Sequence, residues 1–277
     1  MLMNLHVYLL LTNHKKTIKM KNIILLLSLM FTFTASAQYG ILSAVQLNEG
    51  AEDQYLALEA FFGPVHDLAI EKGIENFQAV WKVTSDSTDE NAPHYIIYTG
   101  FESKEQLDAY NNSWTSEDWV ALAKEAHKGS ISASRVERIM NNVSNESKER
   151  RNYHLMSVDN TVFAGSIEPG DIMTITPTKA LNDDFENYET IFWKPYIEKA
   201  ILKGQHRYWG LSKVYERTEN AYEGMTHFFF NFPVEGSNWW DGVIDQDSFK
   251  FQKLQEGLNA ASEHSDPITL ELVSVHN

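Results

Sequence analysis

Cysteine is absent from all 277 positions, which removes thiol nucleophiles and thiolate metal sites before any other residue type is weighed. No G-x-S-x-G turn, H-E-x-x-H helix or phosphate-binding glycine loop occurs either. A Ser-His-Asp triad stays open, because its members need not be neighbours in sequence, but no residue pattern points to one. Ten histidines are present, eight of them after residue 37, and none falls at metal-ligand spacing. His66, two residues beyond Pro64, is the candidate binding histidine, with a neutral structural histidine as the competing reading. His94, His206 and His227 read as strand-end or surface residues.

Aromatic side chains form the second candidate set. Trp81, Tyr98, Trp193, Trp209 and Phe229, with Tyr95, Tyr208, Phe228 and Phe230, fall on elements expected to face an interior, where rings either fill a core or line an apolar pocket. Lys82 and Lys213 are flanked by apolar strand neighbours. Each either supplies such a pocket with its polar group or reaches past those neighbours to solvent.

The elements that must position these residues occur twice. Sliding residues 41–101 onto 172–232 without a gap gives eleven identities in 61 positions at an offset of 131, where ordinary composition gives about four. Phe61 meets Phe192, Pro64 meets Pro195, Gly73 meets Gly204 and Lys82 meets Lys213. His66, however, meets Ile197, so a site built on it is asymmetric between the halves.

Each copy opens with a short β-prone run, at residues 41–47 and 172–178. A helix follows, begun near Asp53 or Asp184 and ended by Gly73 or Gly204, since glycine takes the left-handed C-terminal conformation without a Cβ penalty. Pro64 and Pro195 predict that each helix kinks or begins again there. Next comes a strand of period two, with Phe77, Ala79, Trp81 and Val83 on one face and Gln78, Val80 and Lys82 on the other. Its counterpart places Tyr208, Gly210, Ser212 and Val214 opposite Trp209, Leu211 and Lys213. A polar turn then leads into residues 94–101 or 226–232, completing a hairpin. Second helices are expected at residues 103–127 and 248–261, the latter preceded by Trp239 and Trp240 in a loop. Last strands are expected at residues 131–140 and 268–275.

The order β-α-β-β-α-β, duplicated, resembles the dimeric α/β barrels of ferredoxin-like topology. The resemblance rests on the kinked first helix, the glycine stop, the alternating strand, the hairpin, the second helix and the last strand, and it spans nearly all of residues 38–277. It implies an α+β fold of two tandem ferredoxin-like units that form the barrel within one chain. That superfamily includes monooxygenases, haem-handling enzymes, lactone isomerases and members of no known activity, so the fold alone fixes no function.

Residues 1–37 read as a secretory signal: four lysines between positions 15 and 21, an apolar stretch at 23–33, then Ala35-Ser36-Ala37. Residues 1–19 have the look of an upstream start preceding a compact signal that opens at Met20. Residues 38–140 are expected to form the first unit, 141–170 a linker or arm, and 171–277 the second unit. Loss of the first 37 residues removes four of the 23 basic residues and none of the 38 acidic ones, taking the formal charge from −15 to −19. Such a surface repels polyanions, which argues against a nucleic-acid partner. The expected product is exported, periplasmic or secreted, with no membrane segment after cleavage. The sequence specifies neither a cofactor nor an oligomeric state.

Two functional readings follow. One is a barrel pocket for a small apolar or aromatic molecule, to which the resemblance adds monooxygenase-like or haem-related activity. The other is a non-catalytic exported protein whose acidic surface and Trp239-Trp240 loop contact a protein or glycan. A cavity of roughly a few hundred Å³ between sheet and helices favours the first.

Overall fold

Strands whose alternate residues are apolar on both faces need a partner layer on each side, and a closed sheet with helices outside it supplies both. The computed structural model describes residues 38–238 and 240–277; the expected signal segment and Trp239 lie outside them. The first half runs β1 (Tyr39–Leu47), α1 (Glu52–Glu71), β2 (Phe77–Val83), β3 (Tyr95–Phe101), α2 (Lys104–Ser113), α3 (Ser116–Ala126), α4 (Ala133–Met140) and β4 (Ser147–Asn160). The second runs β5 (Ile172–Ala180), a short turn α5 (Phe185–Asn187), a π-helical segment (Tyr188–Trp193), α6 (Lys194–Leu202), β6 (His206–Arg217), β7 (His227–Pro233), α7 (Phe249–Ala261), β8 (Ser262–His264) and β9 (Ile268–His276).

Eight strands close into an antiparallel barrel in the order β7-β6-β4-β1-β3-β2-β9-β5, with β5 pairing back to β7 and the short β8 beside β5. The first-half strands stand in the order β4-β1-β3-β2 and the second-half strands in the order β9-β5-β7-β6. The halves meet along two seams, β4 with β6 and β2 with β9. Inward side chains of both halves merge into one apolar cluster. Within it Trp81 meets Phe232 at 5.5 Å, Tyr98 meets Phe230 at 5.7 Å and Tyr153 meets Phe228 at 5.1 Å between ring centroids. An arm after β4 lays Phe163 and Ile167 against this cluster. Arg207 covers Phe163 and grips Asp171 with two hydrogen bonds of 2.7 and 3.1 Å, the forked geometry that guanidinium and carboxylate share.

Gly73 and Gly204 both take φ of +69° after their helices, as the glycine stops predict. The two prolines behave differently. Pro64 sits inside α1 without ending it, whereas the second-half helix begins again after the π-helical segment, with Pro195 in the first turn of α6, where a helix does not need its N–H.

Three expectations are corrected. Residues 131–140 are not a strand. Val136, Ile139 and Met140 are spaced to share a helix face, and as α4 they pack with α1 and α3. The last strand of the first half is instead β4, drawn partly from residues 141–152, which read as a linker because of their charge. Both edges of β4 are hydrogen-bonded, to β1 and to β6, and its Tyr153 and Leu155 enter the barrel interior, so tertiary pairing overrides a polar composition. Finally, the single helix expected at 103–127 is broken. Thr115 and Asp118 form a capping box that starts α3 anew, after Asn111, Asn112 and Ser113, which are weak helix formers. Among the described residues no helix is long and apolar enough to cross a membrane.

Candidate functional site

Outward side chains of the first-half sheet and the helices above them enclose a cavity of about 550 Å³. Register builds its floor. Gln78 on β2 lies directly opposite Thr99 on β3, and Ser43 on β1 directly opposite Asn152 on β4, so two polar pairs sit side by side on one face. Arg150 and His154 follow on the same face of β4. The roof is aromatic, with Phe62 from α1, Tyr110 from α2 and Trp119 from α3; Tyr110 and Trp119 meet edge to face at 5.5 Å.

The floor is incompletely satisfied. Gln78 Oε1, Asn152 Oδ1 and Arg150 Nε are buried with no hydrogen-bond partner, at about 1–3 kcal/mol each for a buried polar group left unpaired. Burial pushes the Glu59 carboxyl up, against the opposing pull of Tyr55, Arg150 and His66. Burial also pushes the Tyr110 hydroxyl up, so at neutral pH it stays a hydrogen-bond donor.

His66 lines this cavity from α1. Its Nδ1 lies 2.7 Å from Glu75 Oε1, and the Glu75 side chain is wholly buried. Glu75 stands in the turn that Gly73 opens between α1 and β2, so the glycine stop that ends the helix also places the carboxylate. On the far side His276, from β9, packs over Gly63 and pairs its Nδ1 with Asp67 at 2.7 Å. Among the described residues no group of three or more His, Asp or Glu side chains is placed to hold a metal ion.

The corresponding space in the second half is filled. Ile197 stands where the first half has His66, and Trp209 where it has Gln78; both are almost fully buried in a cluster with Phe185, Leu211, Phe229 and Ala261. At these two matched positions the half with the cavity carries polar residues and the packed half apolar ones.

Of the eight residues singled out from sequence, His66 alone lines the cavity. Trp81 and Tyr98 face the packed barrel interior. Trp209 and Phe229 lie under the second-half helices. Trp193, at the end of the π-helical segment, packs against Trp240 at 5.4 Å and Tyr196 at 6.4 Å. Lys82 and Lys213 point outward and pair with Glu52 and Glu186, each at 2.7 Å and about half exposed.

Tyr98 and Phe229 were matched by the 131-residue offset, yet they occupy opposite faces. Lys82 lies opposite Tyr95 and Lys213 opposite His227, one residue further along than that offset allows, and a one-residue slip exchanges the faces of a strand. The sequence reading missed Glu75, Gln78, Thr99, Arg150, Asn152, Tyr110 and Trp119. Gln78 carried a signal, as a polar residue on the strand face shared with Val80; Arg150 and Asn152 were hidden in the presumed linker.

No protein-family model and no curated protein matches this sequence. Among solved structures, a monooxygenase-like protein from Lactobacillus acidophilus NCFM superposes with a TM-score of 0.52 at 10% identity, over 86% of this chain and 95% of that one. A second monooxygenase-like protein, from Fusobacterium nucleatum, gives a TM-score of 0.52 at 7% identity, over 86% and 93%. Identities this low speak to fold alone. With eight antiparallel strands closed on themselves and helices packed outside, the fold of this chain is that of the dimeric α/β barrels.

Proposed function

We propose that the cavity beneath the first-half helices binds a small aromatic molecule carrying oxygen substituents. The rings of Phe62, Tyr110 and Trp119 offer a surface for stacking, while the polar side chains of Ser43, Gln78, Thr99, Arg150 and Asn152 in the cavity lining suit oxygen substituents on the ligand. One observation carries the reading: the matched space in the other half is closed by Ile197 and Trp209. An α/β unit of this kind therefore packs without a cavity when its sequence calls for none. The monooxygenase-like neighbours support oxidative turnover of the bound molecule as the activity to look for.

Two broader readings belong to the same proposal. The halves are read as copies of one ferredoxin-like unit, supported by their matching strand orders and the spaced identities between residues 41–101 and 172–232. The chain is read as exported, on the strength of its lysine-flanked apolar start. A haem ligand fits less well. His66 would be the residue to hold its iron, but the same cavity is lined by Ser43, Gln78, Thr99 and Asn152, whose hydrogen-bonding groups an apolar macrocycle cannot satisfy. Surface recognition through a tryptophan loop loses its support at Trp240, which packs against Trp193 and Phe251.

Titration with 1-naphthol, followed by tryptophan fluorescence, tests the reading. The double variant H66I/Q78W copies the filled half into the open one. It is expected to keep the wild-type circular dichroism and to bind at least about tenfold more weakly, a loss of about 1.4 kcal/mol. Equal binding by both proteins contradicts the assignment.

A further inference from the structure

His66 and Glu75 have a relationship that ligand binding alone does not use. The Glu75 carboxylate has no solvent exposure, and its one hydrogen-bonded oxygen is held by His66 Nδ1 at 2.7 Å; the other oxygen is buried without a partner. A carboxylate on one ring nitrogen fixes the tautomer: Nδ1 carries the hydrogen and donates it, and Nε2 is left with its lone pair. Nε2 of His66 has no partner among the described residues, and the ring forms part of the cavity wall. Held this way, an imidazole accepts a proton, and the carboxylate behind it offsets the charge the ring gains.

Resting on the cavity reading above, we propose that His66, positioned by Glu75, takes the proton from the hydroxyl of a bound phenol or enol, so that the cavity holds such ligands as oxyanions. The ligand O–H bond breaks, its electron pair stays on oxygen, and the proton forms a new bond to Nε2. Nothing is oxidised or reduced. Arg150, which lines the same cavity, supplies a fixed positive charge for the oxyanion. The ligand class narrows from aromatic molecules in general to those with an ionisable hydroxyl.

The charged and titratable groups around His66 include Glu75 from the turn before β2, Glu59 on its own helix, with Glu146 acting on it, Tyr110 from α2, Arg150 and His154 from β4, the latter paired with Glu216, and His276 from β9, itself paired with Asp67. Glu75 and Arg150 act in the required sense, toward imidazolium and toward oxyanion. Burial pushes the Glu59 carboxyl up, against the pull of Tyr55, Arg150 and His66.

4-Nitrophenol is a suitable probe, because its absorbance distinguishes phenol from phenolate while tryptophan fluorescence reports occupancy. The wild-type protein is expected to hold the dye mainly as phenolate at a pH about one unit below the dye's midpoint in water. H66Q, compared at saturating dye whatever its affinity, should hold the bound dye neutral. E75Q keeps a hydrogen-bond acceptor for Nδ1 but removes the charge. It should fall between the two in ionisation while matching wild type in occupancy, which a merely structural role for Glu75 would not produce. Equal ionisation of the dye in wild type and H66Q overturns the proposal, as does occupancy of the wild type by neutral dye, and in either case the cavity reading survives. Fluorescence unchanged by the dye, or changed equally in H66I/Q78W, overturns the cavity reading and this inference with it.

Discussion

Gln78 and Trp209 hold matched places on two strands and create opposite surroundings, as do His66 and Ile197. At the scale of single residues, buried polarity is what distinguishes the halves. The sequence pointed to His66 through its mismatch with Ile197, but Glu75, nine residues on, had no local signal: the pair forms only because Gly73 turns the chain back. Glu189 shows a different use of a buried acid. It lies in the π-helical segment, almost fully buried, and burial pushes its carboxyl up to about 8. Between about pH 4.5 and 8 the folded protein keeps a proton there that the unfolded chain has lost. Stability is therefore complete below that window and falls as pH rises through it. E189Q removes the ionisable group, so it should stabilise the protein by about 2–4 kcal/mol at pH 8.5 and hardly at all at pH 4.5. Thermal melts at the two values check this; an equal shift at both contradicts it.

Elements were legible where local chemistry and tertiary demand agree. The glycine stops, the alternating β2 and β6 and the final β9 all stand where spacing placed them, since each has a strong local signal. Elements were misread where the two conflict. Residues 131–140 contain β-branched and apolar residues that suggest a strand, yet their spacing suits the helix groove they fill. Residues 147–152 carry the charge of a linker, but the barrel needs a strand there, continuous with the alternating residues from Tyr153, to join β1 to β6. Leu155 decides between linker and strand. It is fully buried in the barrel interior, so L155A should cost about 2–5 kcal/mol in a urea denaturation experiment. A cost below about 0.5 kcal/mol, the usual surface value, would return the segment to a linker.

Across the whole molecule, closure explains why most of the aromatic candidates lie away from the cavity. A barrel shared by two halves turns Trp81, Tyr98, Phe228, Phe230 and Phe232 toward one another as core. Space is left outside the barrel, under the helices of one half, where the floor is polar and the roof aromatic. The location could not be read from sequence, because it depends on β4 entering the sheet and on α2 to α4 standing off from it. The indole N–H resonances of a ¹⁵N-labelled sample report that location directly, since Trp119 lines the cavity, Trp81 the barrel interior and Trp209 the filled half. Titration with 1-naphthol is expected to shift Trp119 and leave Trp81 and Trp209 in place; movement of Trp81 or Trp209 with Trp119 unmoved would contradict the account.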